Sequence, residues 1–483
     1  MLLDLLRNCW PYLFVGVELI LDVCVTIHAV LYKRDTRAVI GWVGLAWLTP
    51  MVGALAYFLL GVNRIQRKAV SLKIGEGLPL MVPVIEEEDY RIREELLEKH
   101  PSLLGLENLG REVTGKALLP GNTVKLLLDG DEAFPAMLEA IERAETSVAL
   151  LSYIFDSDRA GDKFLEALKA AQRRGVEVRV LIDHFGSRYS KPNMVGRLRR
   201  EGINVAAFLE TRSPFSMNYA NLRNHRKILV IDGRTGFTGG TNIREGHWLG
   251  LNPSHPVQCA HFCLEGPVVA HLQEVFAIDW AFASGESLQG GLWFPEIERT
   301  GWVGARGIPD GPDEDFEHVS EVMLGALATA TKNVRITSPY FLPDAPMVRA
   351  LNGAAMRGVA VDIVLPSKNN IPLVQWATMP QLEFLLEKGC RVHFSAPPFD
   401  HTKLMVIDGV WSLIGSTNWD PRSLRLNFEF NVECYDTELA EQLEALIDKK
   451  IVGGTPVTIE KIQTRSFPVK IRDGLARLAS PYL

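Results

Sequence analysis

His225-Arg-Lys227-Ile-Leu-Val-Ile-Asp232-Gly and His401-Thr-Lys403-Leu-Met-Val-Ile-Asp408-Gly are two copies of one pattern, H-x-K-x4-D, 176 positions apart (401 minus 225). Each continues into a second shared signature, Gly239-Gly240-Thr241-Asn242 and Gly415-Ser416-Thr417-Asn418. Residues two apart on a β-strand share a face, so each copy aims a histidine and a lysine into one cleft. The apolar runs between Lys and Asp read as buried strand, and the glycine after each Asp marks a turn. A single histidine on a strand is usually a satisfied core residue. Two copies with the same polar residues at the same spacing describe a built site.

Working outward, each motif closes a similar α/β series. In the first half, Thr146-Ser-Val-Ala-Leu-Leu-Ser-Tyr-Ile-Phe155 reads as a strand, 161–174 as a helix and 176–183 as a strand. A short helix ending at Gly202 and a strand over 203–208 follow. The second half repeats this with strand 333–341, helix 347–357, strand 359–365, helix 382–389 and strand 390–394. Alternating strands and helices predict an α/β fold with mixed sheets flanked by helices. The expected division is 1–68 as membrane anchor, 69–120 as linker with an acidic run over 86–99, 121–300 as the first repeat and 301–483 as the second.

Two apolar stretches open the chain. Residues 38–60 carry no charge, and as one helix they would rise about 35 Å, enough to cross a bilayer core. Residues 12–32 are interrupted by Glu18, Asp22 and His28. Glu18 and Asp22 are four apart and share a helix face, which must meet a partner helix or water. The expectation is a transmembrane helical hairpin, hence a multi-pass protein. Lys33, Arg34 and Arg37 between the segments compete with Arg7, Arg64, Arg67 and Lys68 outside them, tilting the catalytic part slightly towards the cytoplasm. The acids and the lack of a small-residue cleavage site argue against a cleavable signal peptide.

Composition narrows the functions. A net charge of −7 marks no polyanion binder, so no nucleic-acid partner is expected. The six cysteines, Cys9, Cys24, Cys259, Cys263, Cys390 and Cys434, show no CxxC spacing and suit a reducing compartment. The paired acids of the first helix raise a helix–helix contact and leave a homo-oligomer open.

The two H-x-K-x4-D-x6-G-[GS]-x-N signatures resemble those of the phospholipase D superfamily. The apolar N-terminus, the length, Ser338-Pro-Tyr-Phe-Leu-Pro343, Asn418-Trp-Asp420, Arg422-Ser423 and Leu426-Asn427-Phe428-Glu429 narrow the likeness to bacterial cardiolipin synthases. The resemblance implies two phospholipase D-like repeats about a pseudo-twofold axis, with one active site at their junction. It implies an enzyme of the bacterial inner membrane that transfers a phosphatidyl group between two phosphatidylglycerol molecules and releases glycerol. A phospholipase D or phosphatidylserine synthase, with water or serine as acceptor, is the alternative. By similarity His225 is the nucleophile that forms a phosphohistidine, and His401 is the general acid and base. Lys227, Lys403, Asn242 and Asn418 are expected to hold the phosphate oxygens.

Glu429 is grouped with the substrate-side residues and is the best carboxylate for orienting an imidazole. Asp232 and Asp408 complete the motifs and are expected to stabilise their turns. Many relatives have Asp-x-His where Cys259-Ala-His261 stands here, which leaves the orienting group of His401 open. No cofactor or metal is expected: covalent catalysis with lysines and amides needs none. Asp129-Gly130 lacks the further aspartates of the metal-dependent cardiolipin synthases and reads as a turn.

Overall fold

The computed structural model describes residues 2–33, 36–61, 98, 100–210, 222–312 and 315–480. The N-terminal helices form one compact unit, and the chain from residue 100 onward belongs to another.

In the N-terminal unit, α1 is Leu2–Tyr32, and its segment Tyr12–Tyr32 is long and apolar enough to cross a membrane. The second apolar stretch is not the single helix expected over 38–60. Helix α2 (Thr36–Leu48) stops before Pro50, and helical structure resumes only at Val52–Ala56 and a wider turn over Tyr57–Gly61. Proline has no N–H to donate and disfavours helical geometry in the residue before it. Met51 then takes a left-handed φ of 60°. Gly53 lies so close to α2 that a Cβ there would meet the Leu45 carbonyl at 2.3 Å. The polar residues of α1 face the second stretch: His28 Nδ1 and the Tyr57 hydroxyl are 2.8 Å apart, and Trp47 Nε1 donates to Thr26 Oγ1 at 3.0 Å. Asp22 is buried in this unit.

The larger unit is built on a mixed sheet, sixteen-stranded among the described residues. One half runs Asn204–Phe208, Glu177–Asp183, Ser147–Ser152, Ile228–Ile231, Thr235–Gly239, Ala260–Glu265, Leu119–Leu128. The other runs Arg391–Ser395, Ala360–Pro366, Asn333–Thr337, Leu404–Ile407, Trp411–Gly415, Asn427–Tyr435, Val303–Asp310, with Thr455–Val457 on its outer edge. The halves join where Leu119–Leu128 pairs antiparallel with Val303–Asp310. In each half the first three strands are parallel, as βαβ crossovers require, and the motif strand is antiparallel to its neighbours.

The crossover helices are set by sequence. Arg159–Arg173 starts on Asp158, whose side chain accepts from Gly161 N, and buries Ala160, Phe164, Leu168 and Ala171 along one face. Ala345–Met356 starts in the same way on Asp344, which accepts from Met347 N. Pro372–Leu386 is longer than the 382–389 helix expected and carries Pro380 inside it. Of the stretch read as linker, 69–120, residues 69–97 lie outside the description, while Leu104–Thr114 is a helix and the end of the stretch enters the strand Leu119–Leu128. Leu103, Leu106 and Leu118 enter the same core as Val322, Ile336 and Trp411.

The aspartates of the two motifs explain why each hairpin stays docked. Asp232 and Asp408 sit at positive φ (52° and 55°), with a left-handed glycine after each. The Asp232 carboxylate accepts from the backbone N–H groups of Glu145, Thr146 and Ser147. Asp408 accepts from those of Thr331, Lys332 and Asn333. Each therefore ties the turn of its motif to the start of the neighbouring parallel strand.

Near the join, Arg306 is fully buried and binds Glu433 at 2.5 Å and the Glu107 carbonyl at 3.0 Å. Removing one member of a buried ion pair leaves an uncompensated charge and costs about 3–5 kcal/mol. Arg306→Leu should therefore lower the unfolding free energy by about that amount, read from denaturant unfolding of the detergent-purified protein.

Candidate active site

The two motif histidines come together: their imidazole centroids are 6.4 Å apart and nearly perpendicular, and both rings are buried. Each is held by backbone from the opposite half. Arg223–Asn224 pairs in parallel with Asn427 and Phe428, and His225 N donates to the Phe428 carbonyl at 2.8 Å. Phe399–Asp400 pairs with Val257–Gln258, and His401 N donates to the Gln258 carbonyl at 2.7 Å.

The side-chain support differs. His225 Nδ1 donates to the Glu429 carboxylate at 2.9 and 3.0 Å, while His401 Nδ1 donates to the Gly240 carbonyl at 3.0 Å. Both bonds place the proton on Nδ1 and leave the Nε2 lone pair free. Only the carboxylate also stabilises an imidazolium. Glu429, grouped by sequence with the substrate-side residues and also read as the best orienting carboxylate, is fully buried behind His225. It also accepts from Ser416 Oγ and Asn427 Nδ2. It is a positioning residue.

Lys227 and Lys403 are buried beside the histidines, and each Nζ donates to the carbonyl of its own motif histidine. Burial lowers their pKa values to about 7 and about 8, with Glu429 pulling both back up. Burial also lowers His225 to about 4 despite Glu429, and puts His401 well below the usual histidine range, helped by Lys403 and His247. Burial thus favours neutral imidazoles, while the two lysines sit close to their titration range at neutral pH and carry charge that an anion would stabilise.

Asn242 and Asn418 are buried in the same region; Asn242 Oδ1 accepts from Ile154 N at 3.3 Å, and Asn418 Nδ2 donates to Ser423 Oγ at 3.0 Å. Asp232 and Asp408 stand at the far ends of the motif strands and do not reach the histidines. Sequence reading missed Tyr153, whose ring is 5.0 Å from His225, Tyr340 at 6.1 Å from His401, and buried His247 at 5.9 Å from His401. Ser338-Pro-Tyr340 was in view as a family signature, but nothing in the local pattern marks Tyr153 or His247. His261 is also buried, which lowers its pKa to about 3. Among the described residues no three His, Cys, Asp or Glu side chains are grouped to hold a metal ion.

A buried histidine pair, one backed by a carboxylate, with two lysines to meet an anion, defines a site for phosphodiester transfer of the phospholipase D type. The family model described as "Cardiolipin synthase, PLD-like domain" matches residues 137–280 and 323–451. The chain is 31% identical to a cardiolipin synthase of Oceanobacillus iheyensis over 98% of its own length and 99% of the relative's. It is 30% identical to the major cardiolipin synthase of Bacillus subtilis, covering 93% of this chain and 95% of that one. Phosphatidylserine synthase of Haemophilus influenzae superposes with a TM-score of 0.63 at 14% identity, over 80% of this chain and all of that one, a likeness of fold. The chain belongs to the cardiolipin synthase family with phospholipase D-like domains.

Two predictions follow from the geometry. Glu429→Gln removes the charge that stabilises a cationic His225 and should lower kcat about 10³-fold with a smaller change in KM, measured by steady-state turnover of a lipid substrate. The lysines lose their protons as pH rises through about 7 to 8. The free enzyme then loses its hold on an anionic phosphate, so kcat/KM should fall across that window while kcat, read with phosphate already bound, stays flatter.

Proposed function

We propose that this enzyme joins two phosphatidylglycerol molecules into cardiolipin and releases glycerol. Three features support the reading: relatives named cardiolipin synthase along nearly the whole chain, the facing histidines, and the lysine pair that suits an anionic phosphodiester. The observation that carries the assignment of roles is the Glu429 contact. His225 Nε2 attacks phosphorus and becomes cationic, and Glu429 offsets that charge from behind. The P–O bond to glycerol breaks as His401, which takes up a proton at Nε2 from solvent when the anionic phosphodiester binds, delivers it to the leaving oxygen. His401, now neutral, takes the proton of the incoming lipid hydroxyl, whose oxygen displaces His225 from phosphorus. Lys227 and Lys403, with Asn242 and Asn418, balance the charge on the phosphate oxygens. These groups supply the electrostatic stabilisation without a metal ion.

In this reading the two halves, 121–300 and 301–483, are repeats about a pseudo-twofold axis; the matching strand orders and the matching roles of Asp232 and Asp408 support it. The N-terminal segment, 1–68, anchors the enzyme in the bacterial cell membrane as a hairpin, with the catalytic part on the cytoplasmic side. Its second crossing is the interrupted stretch after α1.

The test is incubation of purified protein with phosphatidylglycerol alone, in detergent with EDTA, with lipids and glycerol followed by mass spectrometry. Cardiolipin and glycerol should appear in equal amounts and vanish in His225→Ala and His401→Ala. Phosphatidic acid without cardiolipin would assign water as acceptor and sink the synthase reading. Turnover only after serine is added would keep the machinery and replace the acceptor.

A further inference from the structure

The transfer proposed above needs a second lipid whose hydroxyl meets His401 while the first is held on His225. That acceptor differs from water or free glycerol in one chemical respect near the reacting oxygen: it carries its own phosphodiester one glycerol away. A site selecting it needs a cationic recess beside His401, separate from the lysine pair.

The catalytic unit contains a recess with two cations, Arg244 and Lys368, in its wall. A cavity of about 800 Å³ is lined by Arg244, His255, Lys368, Asn369, Asn370 and Phe399, among others. That volume is in the range of small-molecule sites, about 300–1,000 Å³. Both halves contribute to its wall. Phe399 lies two positions before His401, with their ring centroids 6.1 Å apart. Tyr340, also 6.1 Å from the His401 ring, donates from its hydroxyl to Asn370 Oδ1 at 2.9 Å. Arg244 follows Asn242 by two positions. The Phe399 wall of the recess thus lies next to the acid–base histidine.

Its lining holds two cations, Arg244 and Lys368, and two carboxylates, Glu245 and Asp158, both of which are engaged by other groups. Glu245 holds Arg159 through both oxygens at 2.6 and 2.8 Å, and Asp158 accepts from Gly161 N and Glu245 N. Arg244 meets Asp156 through Nε at 3.2 Å. Lys368 is exposed and, among the described residues, pairs with no carboxylate.

We infer that this cavity, through Lys368 and Arg244, binds the phosphodiester of the acceptor lipid and presents that lipid's glycerol hydroxyl to His401. The inference rests on the proposed transfer and adds to it a second phosphate subsite that distinguishes acceptor from donor. An occupied recess also displaces water from the side on which the phosphohistidine is resolved, favouring transfer over hydrolysis.

The experiment compares two reactions of the full-length protein in phosphatidylglycerol micelles: cardiolipin formation, and incorporation of isotope-labelled free glycerol into phosphatidylglycerol. Both use the same donor and the same covalent step, but glycerol has no phosphate. A charge-assisted hydrogen bond is worth about 1.5–3 kcal/mol, so Lys368→Glu and Arg244→Gln should each lower the ratio of cardiolipin formation to glycerol exchange about tenfold or more. Lys368→Arg should restore the ratio. An unchanged ratio in both variants overturns the inference. So does an equal fall in the two reactions, which would place these cations on the donor or on the fold. Wild-type protein that exchanges glycerol yet makes no cardiolipin overturns the proposed function itself, and this inference with it; that outcome is read before any variant is made.

Discussion

Each motif histidine is held in place by main chain from the other half of the sheet. His225 hangs from Phe428, and His401 from Gln258, through backbone hydrogen bonds just outside the motif strands. Neither half could orient its own imidazole alone. The antiparallel join of Leu119–Leu128 with Val303–Asp310, and of the latter with Asn427–Tyr435, fixes the distance between the rings. Burial of Arg306 with Glu433 and the helix at Leu104–Thr114 locks that join from one side. The geometry of the site is thus a property of the whole sheet.

The reciprocal backbone ladders are not matched by reciprocal chemistry. A carboxylate backs His225, and a carbonyl backs His401. The first can stabilise a full positive charge through a covalent intermediate, whereas the second fixes a tautomer and leaves the imidazolium a readier proton donor. Lys227 and Lys403 share one buried region, and desolvation lowers the proton affinity of both, with Lys403 adding to the effect on Lys227.

Much of this was legible in sequence because the chemistry sits on strands, where spacing of two fixes a shared face. The His-x-Lys pairs, their asparagines and the α/β alternation could all be read that way. Glu429 could be singled out but not placed, since only the register of Asn427–Tyr435 shows whether it faces substrate or the back of a histidine. The partner of His401 could not be read at all: Cys259 stands where the resemblance implies an acid, and the group that serves is a main-chain carbonyl without side-chain identity. Tyr153 and His247 reach the histidines through loop geometry, which has no period. Elsewhere the misreadings have local causes. Pro380 masked the length of Pro372–Leu386, and an uncharged run concealed the break that Pro50 imposes.

The carbonyl behind His401 belongs to Gly240, where a Cβ would lie 2.5 Å from Cys259 Sγ. Substitution there meets a steric barrier and, even if tolerated, would leave the accepting atom unchanged. The support of His225 is written in a side chain and can be retuned by a single codon. The support of His401 is written in the backbone, and no side chain placed at Gly240 removes the accepting atom. In the proposed roles, drift at position 429 retunes the stability of the covalent intermediate, whereas drift at position 240 leaves the proton donor its carbonyl anchor.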